Sequence, residues 1–183
     1  MITIRNASLG DAEALIDIYR YYVENTAISF ETVTPSADGF RMRMKDIMSR
    51  YPYLVIERDG RIEGYSYAHA FVGREAYSRS CEMTIYLRSG SQRSGMGRML
   101  YEAMEQELKK MGILNLYACI AQPDEEDEYL TNNSIDFHEH MGYKIVGTFR
   151  NCGRKFDRWY TMVWMEKIIG EHTDDPAPLK WYN

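Results

Sequence analysis

Cys81 to Leu100, reading C-E-M-T-I-Y-L-R-S-G-S-Q-R-S-G-M-G-R-M-L, joins two elements of different period through three glycines, and few folds admit such a junction. Cys81, Met83, Ile85 and Leu87 alternate with Glu82, Thr84 and Tyr86, which is the period of a strand. Gly90 interrupts it, and Gly95 and Gly97 bracket a tight bend. From Met99 a helical period takes over, with Met99, Leu100, Ala103, Met104, Leu108 and Met111 expected inward and Gly112 closing the helix. A turn of this kind gathers unpaired backbone N–H groups at the positive end of a helix dipole, which makes an anion site. Glycine keeps side chains out of the way of the anion. The apolar run Leu114–Ala121 then reads as a second strand, so 81–121 is a strand–helix–strand unit and part of the sheet is expected to be parallel.

The spacing Gln92-x-x-Gly95-x-Gly97 lacks the Gly-Lys-Ser/Thr of a P-loop, and glycines used only to reverse the chain are the plainer alternative. Composition narrows the field. A chain of 183 residues, 45% hydrophobic, supports one sizeable core and one domain. Its net charge of -5 and lack of a basic tract argue against nucleic acid or an anionic membrane as partner. The start, M-I-T-I-R-N-A-S, has no basic segment followed by an apolar one, and no apolar run is long enough for a bilayer, so a soluble cytoplasmic protein is expected. Cys81, Cys119 and Cys152 form no Cys-x-x-Cys pair and read as buried free thiols. The acidic run Asp124–Glu128 reads as a solvated loop, without the spacing of a calcium loop, and no metal is expected.

Taken in order, Ile2–Arg5 reads as a strand and Ser8–Asp11 as a capping box opening a helix to about Glu24. A polar loop follows, then a helix with Thr34 as cap, Pro35 in its first turn and Phe40, Met44, Ile47 and Met48 buried. Tyr53–Glu57 and Ile62–Phe71 read as a hairpin over Asp59-Gly60, with a bulge at Gly64. Val72–Arg79 is a loop. Asn133-Ser134 caps a short helix closed by Gly142; Tyr143–Phe149 and Trp159–Met165 are strands with 151–157 between them, and 168–183 is a loosely held tail. The expected class is α/β (α+β), one domain over 1–167.

The glycine loop resembles the Q/R-x-x-G-x-G/A motif of GNAT N-acetyltransferases. S-I-D-F-H-E-H-M-G-Y and G-R-K-F-D-R-W-Y, with Y-A-H-A-F-V-G-R-E-A-Y and E-M-T-I-Y-L upstream, resemble the phosphinothricin and methionine sulfoximine N-acetyltransferase branch of that family. The resemblance implies the GNAT fold, a mixed central sheet of about six to seven strands with flanking helices. It implies that Gln92, Arg93, Ser94, Gly95, Met96, Gly97 and Arg98 hold the pyrophosphate of acetyl-CoA. The backbone of Ile85, Tyr86 and Leu87 would pair with the pantetheine arm, near Asn133 and Ser134. Glu82 would be the general base, His138 would sit beside the acyl group, and Phe30, Arg74 and Tyr77 would face an acceptor amino acid close to a homodimer interface. The chain departs from the pattern at Thr131, where an Asn is usual, in a longer loop over 123–131, and at Glu31, where some relatives carry a basic residue after the Phe.

Acetyl transfer to an amine needs a base for the ammonium, polarisation of the thioester carbonyl, and stabilisation of the thiolate. Glu82 is the only acid between Glu75 and Glu102. Its plainer alternative is pairing with an arginine such as Arg79. Tyr129 and Tyr143 are candidate acids toward the thiolate, and Arg74 has the planar fork that suits an acceptor carboxylate. Two rival readings stay open: acetylation of another amine, such as a peptide N-terminus or a polyamine, and a non-catalytic acyl-CoA sensor.

Overall fold

The computed structural model describes residues 1–182 as a seven-stranded sheet with helices on both faces. In chain order the elements are β1 (Ile2–Asn6), α1 (Ala12–Asn25), α2 (Ala37–Met48), β2 (Tyr53–Arg58), β3 (Arg61–Ala70), β4 (Ser80–Leu87), α3 (Met96–Met111), β5 (Asn115–Gln122), α4 (Asn133–His140), β6 (Lys144–Lys155) and β7 (Arg158–Ile168). The sheet order is β1-β2-β3-β4-β5-β7-β6, and only β4 and β5 run parallel. That pair is the expected strand–helix–strand unit, with α3 as its crossover.

Two cores follow from the alternation along β4. Cys81 and Met83 join Met96, Leu100, Tyr101, Met104 and Leu108 beneath α3. On the opposite face Tyr86 packs with Tyr19, Tyr22 and Tyr65 under α1 and α2. The β2–β3 hairpin turns through Asp59 and Gly60, both at positive φ (52° and 81°), as the Asp-Gly pair requires. Pairing steps from Ile56–Gly64 to Glu57–Ile62, so Glu63 is the extra residue of the expected bulge. Its carbonyl accepts the Arg88 N–H at 2.7 Å, and its Oε2 accepts the Ser91 hydroxyl at 2.5 Å. The bulge thereby ties the end of β4 to the start of the glycine loop. Gly64 beside it is held to glycine by the Tyr86 carbonyl, which a Cβ would approach to 2.9 Å.

Several expectations are corrected. Helix α2 is capped by Ser36, whose Oγ accepts the Gly39 N–H at 3.1 Å, so Thr34 and Pro35 lie outside it. Helix α3 begins at Met96, and its buried stripe takes in Tyr101 and Glu105 on one flank and leaves Met99 on the other 41% exposed. Strands β6 and β7 extend to a two-residue turn at Phe156-Asp157, both at positive φ, while a bulge around Asn151 absorbs the segment read as a loop. Cys119 and Cys152 are exposed, because β5 has no neighbour on one side at Cys119 and Cys152 lies on an edge strand. The acidic loop is ordered by its own contacts: Asp127 accepts from the N–H groups of Tyr129 and Leu130 and from the Tyr160 hydroxyl, and Arg158 donates to both Asp127 and Glu128. The tail is held too. Lys180 N–H donates to Met111 O at 2.9 Å, Tyr182 N–H to Arg50 O at 3.1 Å, and Arg79 to Ala177 O at 2.6 Å. Among the described residues no helix is long and apolar enough to cross a membrane, and no three His, Cys, Asp or Glu side chains cluster as a metal site would need.

Two stability predictions follow. Trp181 stands edge-on to Tyr51 at 5.7 Å with Arg50 over its ring at 5.6 Å. Removing an aromatic pair and an exposed cation–π contact, Trp181→Ala should lower the urea-unfolding free energy by about 1–2 kcal/mol; a loss near zero would mean that the tail is not anchored through this residue. Asp11 closes the capping box and takes two hydrogen bonds from Arg5, each 2.9 Å. Hydrogen bonding to Arg5 holds its carboxyl at about 2, against 3.8 in the free side chain. The folded value is the lower one, so the stabilisation is present above about pH 4 and is lost as pH falls through about 2. Arg5 is 39% exposed. With solvent screening counted, Asp11→Asn should cost about 1 kcal/mol at pH 7 and almost nothing at pH 2. An equal cost at both pH values would overturn this account.

Candidate active site

Strands β4 and β5 pair only over Ser80–Glu82 and Asn115–Tyr117. Beyond that point β4 stays with β3 as far as Leu87 and β5 stays with β7 as far as Gln122, so the two part company in the middle of the sheet. The Tyr22 hydroxyl helps hold them apart by donating to Leu87 O at 2.5 Å, which ties the end of β4 to α1. The resulting wedge contains a cleft of about 280 Å³, bounded by Glu82–Tyr86 on one strand and Ala118–Ala121 on the other. Along it, main-chain groups of both strands have no strand partner, which is the condition for an extended ligand to add as a strand.

The glycine loop stands at the open end. Gly95 takes φ +79° as the residue preceding α3, and Arg93 takes φ 61°. Gln92 braces the loop from inside: its Oε1 accepts the Gly90 N–H at 2.8 Å, and Ser94 Oγ donates to Ser91 O at 2.6 Å. The first turn of α3 carries no acid, and its leading N–H groups have no intrahelical acceptor. Gly97 has a second reason to be glycine, since a Cβ there would meet Phe137 of α4 at 3.3 Å. On α4, Ser134 borders the cleft and Asn133 does not. The helix starts after Asn132, whose N–H donates to Glu126 at 2.8 Å, so a residue of the lengthened loop caps it.

The apex of the wedge carries the titratable groups. Glu82 is the last paired residue of β4, and its side chain is 20% exposed and faces the cleft. Burial raises its pKa and the nearby His69 opposes that rise. Arg79 is not its partner; that guanidinium donates to the carbonyls of Gly112 and Ala177. His138 is 3% exposed, with Nδ1 2.7 Å from Ser134 O. A carbonyl only accepts, so Nδ1 carries the proton and Nε2 accepts from the Tyr101 hydroxyl at 2.9 Å. Burial pushes His138 down to about 4, so at neutral pH it is an uncharged ring with its lone pair already engaged.

Phe30 stands at the mouth of the cleft, 6.5 Å from the ring of Tyr160, and its ring takes the space that a Cβ on Gly153 would need. Its loop is pinned by Lys155, a buried amine that donates to Ser29 O at 2.7 Å, and by the Tyr19–Ser29 hydroxyl pair at 2.7 Å. Arg74 and Tyr77 are not brought to the cleft; they lie on the exposed loop before β4, where Tyr77 stands edge-on to Phe71. Tyr129 and Tyr143 are not brought there either: Tyr129 stacks on Phe156 at 4.1 Å, and the Tyr143 hydroxyl is buried without a partner. Sequence reading missed His69, Tyr67, Tyr101 and Cys119, all of which border the cleft. His69 alone had a usable signal, since extending the β3–β4 antiparallel register from the turn sets it opposite Glu82.

Comparison with known proteins agrees with this geometry. The family profile described as an acetyltransferase (GNAT) domain matches residues 4–164. Phosphinothricin N-acetyltransferase of Streptomyces coelicolor is 31% identical over 92% of this chain and 96% of its own. The L-methionine sulfoximine/L-methionine sulfone acetyltransferase of Salmonella typhimurium is 26% identical over 96% and 99%. Among solved structures, a phosphinothricin acetyltransferase from Sinorhizobium meliloti in complex with acetyl-CoA superposes with a TM-score of 0.86 at 28% identity, covering 100% of this chain and 98% of that one. A wedge between two parallel strands, a glycine-led helix at its open end and a match over nearly the whole sheet lead to one conclusion: the chain belongs to the GNAT acetyltransferase family and is an N-acetyltransferase.

Proposed function

We propose that this enzyme transfers the acetyl group of acetyl-CoA to the α-amine of a small amino acid or analogue of the phosphinothricin or methionine sulfoximine type, with Glu82 as general base. The observation that carries the reading is the position of Glu82 at the point where β4 and β5 separate, with its carboxylate toward the cleft. The pantetheine arm runs along the freed edge of β4 at Ile85–Leu87, and the pyrophosphate meets the N–H groups that open α3 beside Ser94, Arg93 and Arg98. The acceptor ammonium gives a proton to Glu82. The amine nitrogen attacks the thioester carbonyl, the new C–N bond forms, the C–S bond breaks, and the thiolate departs on the side of Tyr101 and His138 and takes up the second proton released by the nitrogen. No metal takes part.

Phe30 forms the apolar wall for the acceptor. Arg74 and Tyr77 reach an acceptor from a second copy of the chain, so the working form in the cytoplasm is a homodimer. Ile145, Val146, Phe149 and Trp159, all exposed on the β6–β7 hairpin, supply apolar surface for that contact.

The test is release of CoA thiol from acetyl-CoA with phosphinothricin and methionine sulfoximine, beside plain amino acids and polyamines. Glu82→Gln should lower kcat about 100-fold, in the range of a lost general base, with the KM for acetyl-CoA little changed. A Gln variant with kcat within a few fold of the parent would sink Glu82 as base. Turnover of polyamines alone would sink the amino-acid acceptor. Binding of acetyl-CoA with no turnover of any amine would favour the sensor.

A further inference from the structure

His69 lies on β3 directly opposite Glu82 on β4, in an antiparallel pair that brings facing side chains together. Its Nδ1 is 3.1 Å from the carbonyl of Ala70. A carbonyl accepts only, so that nitrogen carries the ring proton and Nε2 is left with its lone pair. Nε2 faces Glu82 Oε2 at 3.6 Å, so a proton taken up by that nitrogen points at the carboxylate. His69 is 36% exposed, so the ring reaches solvent while its Nε2 faces the carboxylate.

The other groups around this pair do not compete for the role. Tyr67 precedes His69 on the same face of β3, with ring centroids 6.0 Å apart, and its hydroxyl is pushed up to about 12 by burial. Cys119 on β5 is pushed up to about 12 as well, and Tyr117, beside Glu82 in the parallel register, spends its hydroxyl on Glu166 at 2.7 Å. Tyr101 on α3 and His138 on α4 are bonded to each other. On α2, Arg43 pairs with Glu31 at 2.5 Å. Cys81, the neighbour of Glu82 on β4, points into the opposite core and is fully buried. Among the described residues His69 is the one basic side chain within ion-pair distance of Glu82.

We infer that His69 is a positioning residue for the transfer reaction: facing Glu82 Oε2 across the β3–β4 pair, it holds that carboxylate toward the cleft. The inference rests on the reading of Glu82 as base and adds a second residue to it. Its sign is fixed by elementary electrostatics. A cation opposite a carboxylate favours the charged form, so losing it leaves burial unopposed and Glu82 takes up its proton at higher pH.

The experiment is the pH profile of kcat/KM, with the best acceptor from the amine panel, for the parent, His69→Gln and His69→Lys, each also in the Glu82→Gln background. His69→Gln should move the acid limb up by about one pH unit, so that kcat/KM falls about tenfold at pH values below both limbs and the curves converge at the alkaline end. His69→Lys, a cation at every pH tested, should keep the limb at or below the parent's position. In the Glu82→Gln background neither change should shift the acid limb of the activity that remains. A uniform loss at all pH values in both variants would reduce His69 to a packing residue, and an unmoved limb in His69→Gln would overturn the inference outright. These failures are distinct from that of the base itself: an active Glu82→Gln enzyme removes both readings, whereas a dead one with an unmoved limb in His69→Gln removes only the second.

Discussion

The separation of β4 from β5 is the constraint on which everything else in this molecule rests. A sheet gains by pairing every N–H and C=O it can, and leaving a length of two central strands unpaired is costly unless water or a ligand takes their place. Each strand is therefore secured from its far side. β4 is paired with β3 from Cys81 to Leu87, and its end is caught by the Tyr22 hydroxyl and by the bulged Glu63. β5 is paired with β7 along its whole length. The wedge is thus rigid by construction, and a ligand that brings its own amides completes the sheet with little rearrangement of the protein.

The electrostatics are local. The chain is net negative, yet the open end of the wedge is built for an anion from N–H groups at the start of α3, a first turn without acids, and Arg93 and Arg98 nearby. The apex is the reverse: one carboxylate in apolar and aromatic surroundings, with the deeply buried His138 held neutral by its burial. The two ends of one narrow cleft thus differ in the sign of the potential that they present.

What could be read in the sequence was whatever depends on neighbours along the chain. The alternation over Cys81–Leu87, the Gly95 bend, the Asp-Gly hairpin and the capping box at Ser8–Asp11 are local, and the fold contains all of them. Features that depend on register or on distant packing were not readable. Met99 was misplaced because the buried stripe through Met96, Leu100, Met104 and Leu108 widens toward Tyr101 and Glu105 and not toward Met99. The Tyr101–His138 bond joins helices 37 positions apart, and nothing in either local pattern announces it. The tail has too few apolar residues to be read as packed, yet Leu179 and Trp181 each find a place on the body. Arg74 and Tyr77 were assigned through resemblance alone, and in a single chain they stand away from the cleft.

The lengthened loop over 123–131 shows how a departure from the family pattern is transmitted to the site. Its acids do not face the cleft; they fasten the β6–β7 hairpin through Arg158 and Tyr160 and cap α4 through Glu126. Tyr160 packs on Phe30, Gly153 of the same hairpin makes room for the Phe30 ring, and Lys155 holds the backbone of Ser29. The loop thus acts through the hairpin on the segment 28–30, which forms the mouth of the cleft on the side opposite the glycine loop. The glycine loop is braced independently, by Glu63 and Tyr22. A change in the acidic loop therefore reaches the 28–30 side of the cleft before it reaches the glycine loop.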